Sequence, residues 1–247
     1  MMRPRLCRIT RSCAVVFALL LIRGTAPLLA AEAEAPPEYA NHRQLRVWRD
    51  AKGEHPVETP ADWAKRRAHI LLGMQQAMGK LPDRTKLGPL DVKVTERSEG
   101  PGYVRYSLSF VAEGNDRVPC YLFVPANLKG KRAPAMLALH QTTVTGKGQP
   151  AGLADSENLH YALELVRRGY VVLAPDYPSF GDYKYDFSAD RYTSGSMKGI
   201  FNHMRAVDLL VSREEVDPAR IGAIGHSLGG HNAMFVGVFD ERIRLVV

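Results

Sequence analysis

The chain has 247 residues, 45% of them hydrophobic and 24% charged, with 21 Gly, 16 Pro and 3 Cys. That composition excludes a disordered, collagen-like or disulfide-stapled chain. The formal charge of +7 invites a nucleic-acid reading, but five arginines against one glutamate lie in the first 33 residues, so the other 214 carry only +3. They show no basic stripe with interleaved aromatics, and no nucleic-acid partner is expected.

Residues 1–33 read as a secretory signal. Arg3, Arg5, Arg8 and Arg11 form a basic start, Cys13 to Ile22 an apolar run of ten, and Ala31-Glu32-Ala33 an Ala-x-Ala cleavage pattern. Ten apolar residues are too few to cross a bilayer about 30 Å thick as a helix. The expected product is secreted or periplasmic, cleaved near Ala33, with no stable membrane span. The alternative, an uncleaved anchor reaching Leu29, is interrupted by Arg23. Only Cys120 would remain after cleavage, so no intrachain disulfide is expected.

Residues 34–90 read as a linker and helical extension. Ala35-Pro36-Pro37 is the linker. The spacing of Trp63, Ile70, Met74 and Met78 after Thr59-Pro60 predicts an amphipathic helix over 62–78. From Asp91 the period falls to two: Val92 and Val94, Tyr103 to Phe110, and Val118 to Val124 predict an antiparallel meander. From 133 onward, apolar strands alternate with helices. Strands are expected at 134–140, 170–175, 220–225 and 243–247, and helices at 159–168, 197–211 and 228–239. Strands apolar on both faces imply a parallel sheet covered by helices on both sides. Residues 91–247 therefore predict an α/β domain with a mostly parallel sheet.

The most informative residues are Gly225-His226-Ser227-Leu228-Gly229-Gly230. Gly-x-Ser-x-Gly alone is a weak signal, but here a buried strand precedes it and a helix with small residues follows. That context makes it a nucleophile elbow. The turn exposes the Ser227 hydroxyl, Gly225 and Gly229 leave room for close packing, and the Leu228 N–H is aimed at a developing oxyanion. A second arm follows the strand at 134–139. There His140-Gln141-Thr142-Thr143 precedes a Gly-rich loop, and the Gln141 or Thr142 N–H is a candidate second oxyanion donor. His140 is read as orienting this loop. His140, Asp176, Tyr177 and His226 are candidate substrate-pocket residues. The aromatic run from Asp176 to Phe187 reads equally as a pocket wall or as a loop packing its own rings.

On His140 to Thr143, the stretch Arg168 to Tyr177 and the Gly225 to Gly230 elbow, the chain resembles the α/β-hydrolase superfamily. Its nearest likeness there is the dienelactone-hydrolase-like and acetyl-xylan-esterase-like branch. The resemblance covers about residues 90–247. It implies hydrolysis of a small-molecule carboxylic ester by a Ser-His-Asp triad, with Ser227 as nucleophile. No cofactor is expected: there is no metal motif, Walker loop or dinucleotide Gly motif.

In this superfamily the triad acid and histidine follow the serine. Only His231 and Asp240 lie beyond Ser227 at any useful place, and neither they nor His226 is expected to complete a triad. The sequence is thus expected to be the first two-thirds of a hydrolase, incomplete at its C-terminus. The alternatives are a non-catalytic hydrolase-fold protein and, within the enzymes, a serine peptidase of the prolyl-oligopeptidase kind.

Overall fold

The computed structural model describes residues 35–189 and 191–247, and the segment read as a signal lies outside them. Residues 35–247 form one compact unit. It opens with a hairpin, β1 (Val47–Asp50) and β2 (Gly53–Pro56), which pairs antiparallel. The sequence pattern gave no sign of it, because only Val47 among its residues is buried. Helix α1 (Pro60–Met78) starts two residues before the expected position. Thr59 and Asp62 form a capping box that satisfies its first N–H groups. Trp63 does not join the apolar face; it is 50% exposed.

The main sheet has seven strands: β3 (Lys93–Gly100), β4 (Tyr103–Glu113), β5 (Asp116–Pro125), β6 (Ala133–Leu139), β7 (Val171–Pro175), β8 (Val216–Gly225) and β9 (Ile243–Val246). Their spatial order is β3-β4-β5-β7-β6-β8-β9. The pairs from β3 to β7 are antiparallel and those from β7 to β9 parallel. The meander therefore extends the parallel half and makes the whole sheet mixed.

Helix α2 (Tyr161–Arg167) covers one face, α3 (Gly195–Val211) and α4 (Leu228–Phe239) the other. The alternation of β6 sorts its residues between two cores. Leu137 and Leu139 join the α3–α4 side with Phe110, Leu173 and Ile200. Met136 and Ala138 join the α2 side with Phe123, Val166 and Val172. Helix α4 buries Gly229, Asn232, Ala233 and Val236, a stripe of mostly small residues at helical spacing that lets it lie close to the sheet. Among the described residues no helix is long and apolar enough to cross a membrane.

Candidate active site

In register, Gly225 of β8 stands beside Leu139 of β6, so both strands end together at the edge from which Ser227 projects. Ser227 has φ 53° and ψ −115°, a sparsely populated conformation for a residue with a side chain, and it is exposed. The chain can turn this sharply because its neighbours lack side chains. A Cβ at Gly225 would lie 2.2 Å from the Gly229 carbonyl group. One at Gly229 would lie 1.8 Å from the Leu139 oxygen and 2.9 Å from that of His140. Helix α4 thus starts pressed against the end of β6.

That contact puts the two candidate oxyanion arms side by side. Leu228 opens α4, and its N–H, like those of Gln141 and Thr142, donates to no protein acceptor among the described residues. A helix start with free N–H groups favours negative charge. The Gln141 Oε1 atom is also buried without a partner among the described residues.

The candidate pocket residues divide into two groups. His140 is buried: its Nε2 accepts the Tyr177 N–H at 2.9 Å, which leaves Nδ1 to donate to the Gln141 carbonyl at 2.7 Å. Burial holds its pKa below the ordinary value, so the ring is neutral with both nitrogens occupied. Because a trans peptide points its C=O and N–H in opposite directions, holding the Gln141 carbonyl also sets the direction of the Thr142 N–H. Asp176 is buried too. It accepts the Lys147 N–H and ammonium, each at 2.7 Å, and the Asp182 N–H at 3.0 Å. Gly146 and Gly181 close over it, where a Cβ would come within 2.3 Å of the carboxylate.

The Tyr177 ring fills the space a side chain at Gly199 would need, and burial pushes its hydroxyl pKa up to about 12. These three residues clamp the loop after β6 to the loop after β7. His226 is exposed beside Ser227.

The other titratable residues near the elbow are engaged elsewhere. His231 is exposed and stacked on Phe235, with ring centroids 6.0 Å apart. Asp240 is buried and holds Arg242 through two hydrogen bonds of 2.8 and 2.6 Å. Among the described residues none hydrogen-bonds the Ser227 hydroxyl.

Two buried cations were not foreseen. Lys147, read only as part of a Gly-rich loop, pairs with Asp176 and with Asp182 at 2.6 Å. Burial alone would lower its pKa, but the two carboxylates outweigh that and raise it. Lys198 on α3 is fully buried, 3.0 Å from Glu113 and 2.7 Å from Asp116 at the β4–β5 turn. Tyr183 donates to the same Asp116, and Tyr192 to Glu113 at 2.6 Å. The aromatic loop is thus pinned to the sheet by charge. An Asp directly after β7 signals the first cation; nothing local in the sequence signals the second.

A sequence profile of the prolyl oligopeptidase family matches residues 157–242. "Putative hydrolase YtaP" of Bacillus subtilis (strain 168) is 29% identical over 195 residues, covering 74% of this chain and 62% of that protein. Among solved structures, a "putative acetyl xylan esterase" of Bacteroides fragilis NCTC 9343 superposes with a TM-score of 0.64 at 20% identity, covering 83% of this chain and 58% of the other. A glucuronoyl esterase from Solibacter usitatus gives 0.62 at 21% identity, covering 85% and 63%. The chain therefore spans less than two-thirds of the length of each. With the parallel half of the sheet, the flanking helices and a strand–serine–helix elbow, these likenesses identify the chain as having the α/β-hydrolase fold.

Proposed function

We propose that the protein is a serine hydrolase acting on carboxylic esters, with Ser227 as nucleophile. The observation that carries this reading is the strained, exposed serine between β8 and α4, with unpaired N–H groups beside it. Ser227 Oγ would attack the ester carbonyl. The Leu228 N–H and that of Gln141 or Thr142 would hold the oxyanion, a contribution of about 3 kcal/mol per donor in serine hydrolases. Among the described residues none is hydrogen-bonded to Ser227 Oγ in the place that a general base, backed by an acid, would take in this reading. Serine without a base is a weak nucleophile.

The structural neighbours named as acetyl xylan and glucuronoyl esterases support a carbohydrate ester as the substrate class. His226, exposed next to the nucleophile, would be the pocket residue to meet it. A signal at residues 1–33, cleaved near Ala33, would export the enzyme to where such esters occur. N-terminal sequencing of the exported protein tests that step.

The full chain should form a covalent adduct with a fluorophosphonate at Ser227, lost in Ser227→Ala. A cooperatively folded chain that stays unlabelled overturns the proposal and favours a non-catalytic hydrolase-fold protein. The match to the prolyl oligopeptidase profile supports one other reading, a serine peptidase. Turnover of peptide p-nitroanilides with none of p-nitrophenyl acetate would favour it.

A further inference from the structure

The contacts of His140 fit one state of its ring and no other. Nε2 accepts the Tyr177 N–H at 2.9 Å and so carries no proton, while Nδ1 keeps its proton on the Gln141 carbonyl at 2.7 Å. A second proton would go to Nε2. It would then meet the Tyr177 N–H donor against donor, inside a site where the residue is buried.

One side of that contact has to give way, and Tyr177 is the fixed side. Its peptide follows Asp176, whose N–H donates to the Pro119 carbonyl at 2.9 Å. The Asp176 carboxylate is held by the Lys147 N–H and ammonium and the Asp182 N–H. The Tyr177 carbonyl takes the Phe180 N–H at 3.0 Å, and its ring fills the space beside Gly199. The imidazole hangs from the end of β6 on side-chain bonds that rotate, so the ring turns instead. Turning it breaks the Nδ1 contact as well. The Gln141 carbonyl then loses the bond that aims the Thr142 N–H.

The surroundings of the ring set where this happens. Burial has the largest influence and holds its pKa below the ordinary 6.5. The Gln141 carbonyl and Asp176 favour the charged ring, and Lys147 opposes it. On α3, His203 lies 6.4 Å from the Tyr177 ring and is kept neutral by burial and by the neighbouring His140, its pKa pushed down to about 3. Tyr161 of α2 donates to the preceding carbonyl, that of Leu139, and α4 meets the residue through Gly229. His226 on the elbow and His231 on α4 are exposed. The unfolded chain protonates such a ring first, so its contribution to stability is whole above about pH 6.5 and is lost as the pH falls.

We infer that His140 is an acid-sensitive positioning residue: the oxyanion arm after β6 is aimed only while this ring is neutral, and is released within the folded chain when the ring takes up a proton. Gly225 and Gly229 fix the elbow by steric contact, so acid acts on this arm alone. The role of the arm rests on the serine-hydrolase reading, but its movement is measured without substrate.

The test follows the isotopically labelled full chain by NMR from about pH 8 to about pH 4. At the alkaline end His140 should show a protonated Nδ1 and a bare Nε2, and Nε2 should gain its proton at a midpoint below 6.5. Residual dipolar couplings of the Thr142 N–H, which report its direction, should change with that same midpoint. They should stay constant in His140→Asn, whose amide keeps a donor near the Nδ1 position and does not titrate. Constant couplings while the ring protonates overturn the inference. So do a ring that stays neutral throughout, global unfolding at the same midpoint, or the same change in His140→Asn. If that variant does not fold, coincidence of the two midpoints in the parent decides. In turnover of p-nitrophenyl acetate, kcat should fall about tenfold in His140→Ala at unchanged KM and be partly restored in His140→Asn. Equal losses in the two would overturn the positioning role. Failure of the hydrolase reading shows differently, as an unsubstituted chain that takes no fluorophosphonate while its Thr142 couplings still respond to pH.

Discussion

The Ser227 elbow and the ionic node around Lys198 are held by opposite means. At the elbow a strained residue is fixed by absent side chains: Gly225 and Gly229 let main chain meet main chain, and no charged group takes part. At the node a fully buried lysine is fixed by present ones, with Glu113 and Asp116 within 3.0 Å and Tyr183 and Tyr192 completing the hydrogen bonds. Steric fit is indifferent to pH and salt, whereas paired charges are not. The part of the molecule that presents the nucleophile is therefore insulated from solution conditions. The part that anchors the aromatic loop responds to them.

The largest effect should come from breaking the elbow. Gly229→Ala places a methyl group 1.8 Å from the Leu139 oxygen, so the helix must lift off the sheet. A loss of about 4 kcal/mol or more is expected in chemical denaturation, beyond the ordinary overpacking range. A variant as stable as the parent would show that the elbow is not sterically set.

Breaking the node should cost somewhat less. Lys198→Met removes the buried cation from both carboxylates at the β4–β5 turn and leaves Glu113 only the exposed Arg191, with an expected loss of about 3 kcal/mol at neutral pH. Burial opposes the charge on Glu113, but Tyr192 and Lys198 together hold its pKa below the ordinary 4.5. Its contribution is therefore present above about that pH and fades as the carboxylate is protonated below it. The gap between parent and variant should narrow in acid. A gap that stays constant from pH 7 to pH 3.5 would mean that lost packing, not lost charge, explains the variant.

The smallest effect sharpens the contrast from the other side. Ser227→Gly relieves the φ of 53° and should raise stability by about 1 kcal/mol while abolishing fluorophosphonate labelling. Loss of stability instead would mean that the serine side chain makes contacts worth more than its strain.

How much of this was legible in the sequence follows the same division. The elbow is local: six consecutive residues between an apolar strand and a small-residue helix specify it, and α4 begins and ends where the pattern places it, at Leu228 and Phe239. The meander and the strand–helix alternation were legible because they repeat with periods of two and of about four. The node was not, since Glu113 and Lys198 are 85 positions apart and a lone lysine in an apolar helix looks like any solvent-facing residue. The β1–β2 hairpin escaped because its strands, Val-Trp-Arg-Asp and Gly-Glu-His-Pro, show no alternation of apolar and polar residues.

The vacancy at Gly229 also bears on which changes could ever be repaired. At Gly222 the nearest obstacle is the Met136 sulfur, 2.5 Å from where a Cβ would lie, with the Leu245 oxygen farther off at 3.2 Å, so a smaller residue at 136 could make most of the room for a larger one at 222. At Gly229 the obstacle is a carbonyl oxygen, the same in all twenty amino acids. No second substitution at position 139 removes it. A suppressor screen should therefore rescue side chains introduced at 222 through changes at 136, and return only revertants to glycine at 229.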